Sequence, residues 1–221
     1  DRPGFLSAVK SMLASVKIRR GNVFKMERIL LKRLVALTWS LLVLINIANS
    51  AATLSAPESH YDLVRCGIAA FGLSPGPAFS GSYDLRPALS LKARVNMKKK
   101  VQAGEALSYG LHYEVERDSR VVTVPAGYAD GYDRRLSGRA DVLISGKRYT
   151  VSGTVCMDQF MVDVGDDNVE VGDIATLLGS DGSEAITAGE LAEHIGTIDY
   201  EVTTRIPSRV PRIYLESSDG A

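Results

Sequence analysis

The feature that most limits what this chain can fold into is a change of texture near residue 85. From there on, short runs with strand periodicity follow one another, each closed by turn residues. Residues 88–97 alternate strictly, with Leu89, Leu91, Ala93, Val95 and Met97 on one side and Lys92, Arg94 and Asn96 on the other. A half-buried strand requires that period of two. Further strands are predicted over 107–115, 120–125, 141–144, 148–155, 160–164 and 173–178, and a closing strand over 198–205. Ser145-Gly146 suits a tight hairpin, and the Gly, Asp, Asn and Ser clusters at 165–168 and 179–182 suit loops. One helix is expected among the strands. Thr187-Ala188-Gly189-Glu190 fits a capping box in which Glu190 reaches back, residues 191–195 supply the buried side, and Gly196 is placed to stop it. Residues 86–221 therefore read as an all-β, barrel-like domain.

Upstream the texture differs. An apolar strand is predicted over 67–73, ended by Ser74-Pro75-Gly76-Pro77. With the apolar run before Asn49 it reads as two consecutive units of an α/β layer, whose strands are covered on both faces. Residues 1–45 are unlike either part. The first 33 residues hold nine Lys or Arg against only Asp1 and Glu27, although the whole chain balances 26 basic against 26 acidic residues. From Met26 a basic start, an uncharged stretch over 34–50 and Ala51-Ala52 look like a secretory signal. That stretch is short for a membrane span, which needs about 20 apolar residues. Because it begins at residue 26, a buried helix followed by a buried strand is the preferred reading.

Zero net charge gives no general reason to expect nucleic acid or a membrane surface as a partner. Cys66 and Cys156 lack the spacing of a metal knuckle or redox pair, and His60, His112 and His194 are scattered. A reduced, cytoplasmic protein without a metal follows from that usage.

Chemistry enters through clusters of Gly, Tyr, Asp and Arg at the ends of the expected strands. In order they are Asn49-Ser50-Ala51-Ala52, Val64-Arg65-Cys66-Gly67-Ile68, Ser108-Tyr109-Gly110, Gly127-Tyr128-Ala129-Asp130-Gly131, Cys156-Met157-Asp158-Gln159, Tyr200-Glu201-Val202 and Arg209-Val210-Pro211-Arg212. Any one tyrosine among them is more often a packed ring with a satisfied hydroxyl. Seven motifs in this order resemble the alanine racemases, over about residues 47–216. The resemblance implies a pyridoxal 5'-phosphate enzyme, with 46–85 the last strand and helix units of a (β/α) TIM-like barrel and 86–221 the family's C-terminal β domain. It implies interconversion of L- and D-alanine, which supplies peptidoglycan precursors. It also implies a homodimer in which each subunit completes the other's site.

The resemblance assigns roles residue by residue. Tyr109 matches the tyrosine that exchanges the α-proton on one face of the substrate, opposite a lysine on the other; two bases on opposite faces are what racemisation needs. Arg65 matches the donor to the cofactor's pyridine nitrogen. Ser50, Gly67, Ile68 and Tyr200 match the groups that hold the phosphate, and short neutral donors can crowd around a dianion. Met157 matches a residue whose backbone contacts the substrate carboxylate, and Tyr128 with Arg134 matches the lining of the entry passage. Tyr132 and Asp158 are given supporting roles.

Departures from the family pattern carry their own expectations. Asn46 stands where the family usually has His, which predicts a looser cofactor pocket. Thr154 stands where Arg is frequent, which predicts an altered passage. No segment resembles the family's cofactor-lysine segment, and Lys98, Lys99 and Lys100 read as a solvated run on a strand. The chain is therefore expected to be inactive alone, as a fragment or frameshifted product, or to be a β domain reused without catalysis. A racemase of broader specificity is the remaining enzymatic alternative.

Overall fold

The computed structural model describes Lys32, residues 45–79 and residues 81–215. Apart from Lys32 and Ile45, the anomalous segment 1–45 lies outside the described residues, and so does most of the signal-like stretch. Within them, no helix is long and apolar enough to cross a membrane.

Helix α1 (Ser50–Ser55) starts at Asn49, whose side chain accepts from the Ala52 N–H at 3.1 Å. Short 3-10 turns follow at Pro57–Ser59, Ile68–Phe71 and Pro77–Phe79. The strand expected over 67–73 is thus a 3-10 turn. Gly72, at a φ of 72°, sends its N–H back to the carbonyls of Ile68 and Ala69 and curls the apolar run closed. A Cβ on Gly72 would stand 1.7 Å from the Arg86 carbonyl oxygen, so only glycine lets the chain pass there.

Beyond residue 85 ten strands form, all antiparallel. They are β1 (Leu91–Arg94), β2 (Met97–Val101), β3 (Ala106–Leu107), β4 (Tyr113–Glu114), β5 (Ser119–Val124), β6 (Asp141–Ile144), β7 (Lys147–Thr150), β8 (Phe160–Gly165), β9 (Ile174–Asp181) and β10 (Glu184–Ile186). One sheet runs β1-β9-β6-β7, with β10 also paired to β9; a second runs β2-β5-β8; β3 pairs with β4. A bridge between Val151 and Val162 ties the end of β7 to the second sheet. The Ser145-Gly146 hairpin forms as expected, with Ser145 at a φ of 54° and Gly146 at 73°.

Five further expectations are corrected. The run 148–155 is strand only to Thr150, and beyond the Val151 bridge it continues as a loop. The run 88–97 is two strands in different sheets: Val95 bonds Asp173 and Gly172 beside β9, and Asn96 already donates to Thr123 on β5. The alternation holds to Val95 and then fails, so that Met97, expected inside, is exposed. The run 107–115 is broken by a 3-10 turn at Tyr109–Leu111 between β3 and β4. The run 198–205 is helix α3 (Asp199–Thr204), introduced by helix α2 (Ala188–Ile195). Val202 and Ile206, four apart, are both buried, and the Thr203 and Thr204 hydroxyls bond back to carbonyls one turn earlier. Helical spacing thus overrode β-branched propensity. In the capping box of α2, Thr187 accepts from the Glu190 N–H at 3.0 Å, but the Glu190 carboxylate turns to Arg148 instead of reaching back.

The main core lies between the sheets and α2. It gathers Val122, Val142, Leu143, Phe160, Leu177 and Leu191 around Tyr132, whose ring stacks on Phe160 at 5.0 Å. Burying each such side chain contributes about 1.5–3 kcal/mol. A satellite cluster of Val101, Leu107, Val115 and Val121 supports the β3–β4 pair and the turn between them.

Candidate active site

Two groups of the expected site residues form, one on residues 45–79 and one on the β domain. In the first, Ser50 is buried at the start of α1 and its Oγ accepts from two backbone N–H groups, Gly67 at 2.9 Å and Ala69 at 3.3 Å. The missing side chain at Gly67 keeps this point open: a Cβ there would meet only Ser50 Oγ, at 3.8 Å. Ile68 is buried beneath it, at the head of the 3-10 turn.

Arg65 lies exposed beside this group, its backbone N–H on the Ala48 carbonyl at 2.8 Å. Its guanidinium donates to Asn46 twice, to the carbonyl oxygen and, at 2.8 Å, to Oδ1. The short amide holds the guanidinium through two acceptors, one of them backbone.

The second group is organised by one extended segment, residues 153–157. Its Cys156 and Met157 carbonyls accept from the Tyr128 and Ala129 N–H groups at 3.1 and 3.0 Å. Tyr128 thus enters a 3-10 turn, Tyr128–Asp130, whose N-terminal Gly127 N–H is held by the Asp130 carboxylate at 2.9 Å. Tyr109 projects from its own turn with its side chain largely free, 76% exposed. Met157 and Tyr128 are exposed too.

Arg134 is also exposed. It lines, with Tyr128, Gly131, Asp133 and Arg205, an open cleft of about 480 Å³. Asp133 is bound by Arg135 and Arg205, and the Arg135 hydrogen bonds before all else hold its carboxyl at about 2, below the usual carboxylate range. Arg134 is therefore set beside a carboxylate already neutralised by two other arginines. Tyr200, on α3, is half-buried, and burial, then the Asp199 charge, pushes its phenol up.

Among the described residues no hydrogen bond joins Tyr200 to Ser50, and none joins the Ser50 group to the Tyr109 group. Tyr132 belongs to the core, its hydroxyl buried, and not to the exposed face that carries Tyr109. Two residues gain roles that the sequence reading did not give them: Asn46 as the acceptor for Arg65, and Thr154, which bonds the Tyr109 turn.

The Gly67 and Ala69 N–H groups are spent on Ser50 Oγ, which leaves the Ser50 proton as the donor that could meet a phosphate oxygen. The Ser50 oxygen gathers two N–H donors, while its own proton has no acceptor among the described residues. A buried hydroxyl in that state calls for one further acceptor.

Comparison with known proteins covers both groups. The family model described as "Alanine racemase, C-terminal domain" matches residues 88–214. The one described as "Alanine racemase, N-terminal domain" matches residues 12–75, which reaches into the segment that the sequence reading set apart. An alanine racemase from Carboxydothermus hydrogenoformans is 53% identical over 170 residues, 76% of this chain and 46% of its own length. One from Salinispora arenicola is 51% identical over 170 residues, 76% of this chain and 45% of its own. The crystal structure of the alanine racemase from Streptomyces lavendulae superposes with a TM-score of 0.74 at 48% identity, over 78% of this chain and 46% of that one. That of the Bacillus anthracis enzyme with bound L-Ala-P gives 0.76 at 39% identity, over 91% and 53%. The chain spans about half the length of the relatives it matches.

Proposed function

The chain belongs to the alanine racemase family, and from that premise we propose that it supplies one catalytic face of a racemase interconverting L- and D-alanine. The observation that carries the proposal is Tyr109. It is an aromatic acid–base group left bare by its own chain, on a turn that the rest of the β domain braces. A ring so exposed is not there to fill the core.

Pyridoxal 5'-phosphate, when bound, supplies the electron sink that makes the substrate α-proton removable. Ser50, with the Gly67 and Ile68 backbone and the Tyr200 phenol, would hold its phosphate. Arg65 would donate to its ring nitrogen, and an arginine, being charged at any working pH, keeps that nitrogen an acceptor. Tyr109 then removes or returns the α-proton at the substrate carbon on one face. The Met157 backbone orients the carboxylate, and Tyr128 with Arg134 lines the approach.

The opposite face needs a lysine. No segment of residues 1–221 resembles the family's lysine segment. The exposed surface around Tyr109, Met157 and Tyr128 suits assembly as a homodimer with shared sites, in the cytoplasm. The test is α-proton exchange in deuterated water, followed separately from L- and from D-alanine, in the assembled protein. Tyr109→Phe is expected to slow exchange from one enantiomer by about 10²–10⁴-fold. Equal rates with both enantiomers, unchanged from wild type, would remove Tyr109 from the reaction.

A further inference from the structure

Tyr109 must hold its hydroxyl steady while its ring packs on little of its own chain. Its backbone is no easier to hold. Ser108 has a φ of 65° and Leu111 of 51°, with Gly110 between them at 80°. Residues with side chains keep such conformations only where their surroundings impose them.

The surroundings that do so are two reciprocal hydrogen bonds. The Thr154 hydroxyl donates to the Tyr109 carbonyl at 2.8 Å, and the Ser108 hydroxyl donates to the Thr154 carbonyl at 2.8 Å. Thr154 is itself buried. Its neighbour Gly153, at a φ of 87°, lets the strands close on each other, since a Cβ there would come within 2.9 Å of Ser108 Cβ and 3.1 Å of the Leu107 carbonyl. On the other side Val155 is wholly buried and its N–H is held by Ser137 Oγ at 2.9 Å. The segment that carries Thr154 is therefore fixed to the core, and Thr154 is the point at which that rigidity reaches Tyr109.

We propose that Thr154 is a positioning residue for Tyr109, locking the strained Ser108–Leu111 turn so that the phenol meets the substrate α-carbon at a constant distance. The same segment carries Met157 three residues on, so one anchored loop sets the relative placement of the proton-transfer group and the carboxylate contact. This inference rests on the acid–base role of Tyr109, and its test lets the two fail separately.

Two variants decide it. Thr154→Val keeps the shape and loses the hydroxyl; Thr154→Ser keeps the hydroxyl. In the full chain, amide exchange at residues 109–112 is expected to quicken by about tenfold in Thr154→Val, with β5 and β8 unchanged, and to return to normal in Thr154→Ser. In the assembled racemase, Thr154→Val is expected to lower kcat for alanine by about tenfold or more with KM held within about twofold, and Thr154→Ser to restore it. Wild-type exchange and wild-type kcat in Thr154→Val overturn the proposal. So does quickened exchange spread over the whole β domain, which would make Thr154 a general folding residue. Local quickening beside a Tyr109→Phe variant that racemises normally overturns the acid–base role of Tyr109, and the catalytic part of this proposal with it.

Discussion

Gly127 lies against Met157 so closely that a Cβ on it would stand 2.3 Å from the Met157 carbonyl oxygen, and equally close to that of Cys156. Those two carbonyls are the ones that accept from Tyr128 and Ala129. The turn bearing Tyr128 and the loop bearing Met157 are thus joined at backbone level, with no room for a side chain between them.

Gly127→Ala should therefore act as a wedge. Backbone oxygens cannot swing aside as a side-chain tip can, so the substitution is expected to destabilise the β domain by about 1–3 kcal/mol. Urea unfolding followed by far-ultraviolet circular dichroism measures this. A variant as stable as wild type would show that the two segments are not in contact in solution.

Asp133 makes stability depend on acid. Its carboxyl is held at about 2 by Arg135 first and by Arg205, against an ordinary 3.8. A depressed folded value means stability that is present above about pH 4 and is lost as pH falls through about 2. Asp133→Asn is expected to lose most of that at pH 7 and to flatten the acid limb between pH 4 and 2. An acid limb unchanged from wild type would place the dependence elsewhere.

Tyr132 predicts the alkaline side. Burial, then the charges of Asp141 and Glu190, pushes its phenol far above the ordinary value, so the folded protein keeps it protonated. The unfolded chain ionises it near pH 10, and stability should fall as pH rises above that. Tyr149, pushed up to about 12 by burial and by Asp167, adds to the same fall. Tyr132→Phe should make the slope between pH 10 and 12 shallower without removing it; an identical slope would show that the ring is reached by solvent.

The Ser50 group can be tested without any turnover. Ser50→Ala removes the oxygen on which the Gly67 and Ala69 N–H groups converge. Affinity for pyridoxal 5'-phosphate is expected to drop about 10- to 100-fold, read by calorimetry on the purified chain. Equal affinity in both proteins would take the phosphate away from this site.

Arg148 makes the last prediction. It reaches Glu184, Glu190 and the Ala185 carbonyl, and the two glutamates raise its own proton affinity. It thereby ties β7 to β10 and to α2. Arg148→Met is expected to cost about 1–3 kcal/mol and to raise amide exchange in α2 before the sheets. Uniform exchange across the domain would argue against that tie.

Much of this was legible in the order of residues. The strands 120–125, 141–144, 160–164 and 173–178 appear within a residue or a few of their predicted places, because each alternation is short, amphipathic and closed by turn residues. The local geometry around two of the motifs was legible as well, since a close approach and a positive φ demand particular small residues: Gly67 leaves the space beside Ser50, and Gly110 supplies a positive φ next to Tyr109.

What sequence alone determined about this protein is its β periodicity and its turns, since these depend on neighbours a few residues away. Only the tertiary structure decided where one alternating run divides between two sheets at Val95, that residues 199–204 wind into a helix over Val202, and that Thr154 grips Tyr109 across 45 residues of chain. Each of those outcomes is set by partners distant in sequence, Asp173 and Thr123 for Val95 and Asn96, and Tyr109 for Thr154. No local pattern encodes which distant partner will satisfy a backbone group or a hydroxyl.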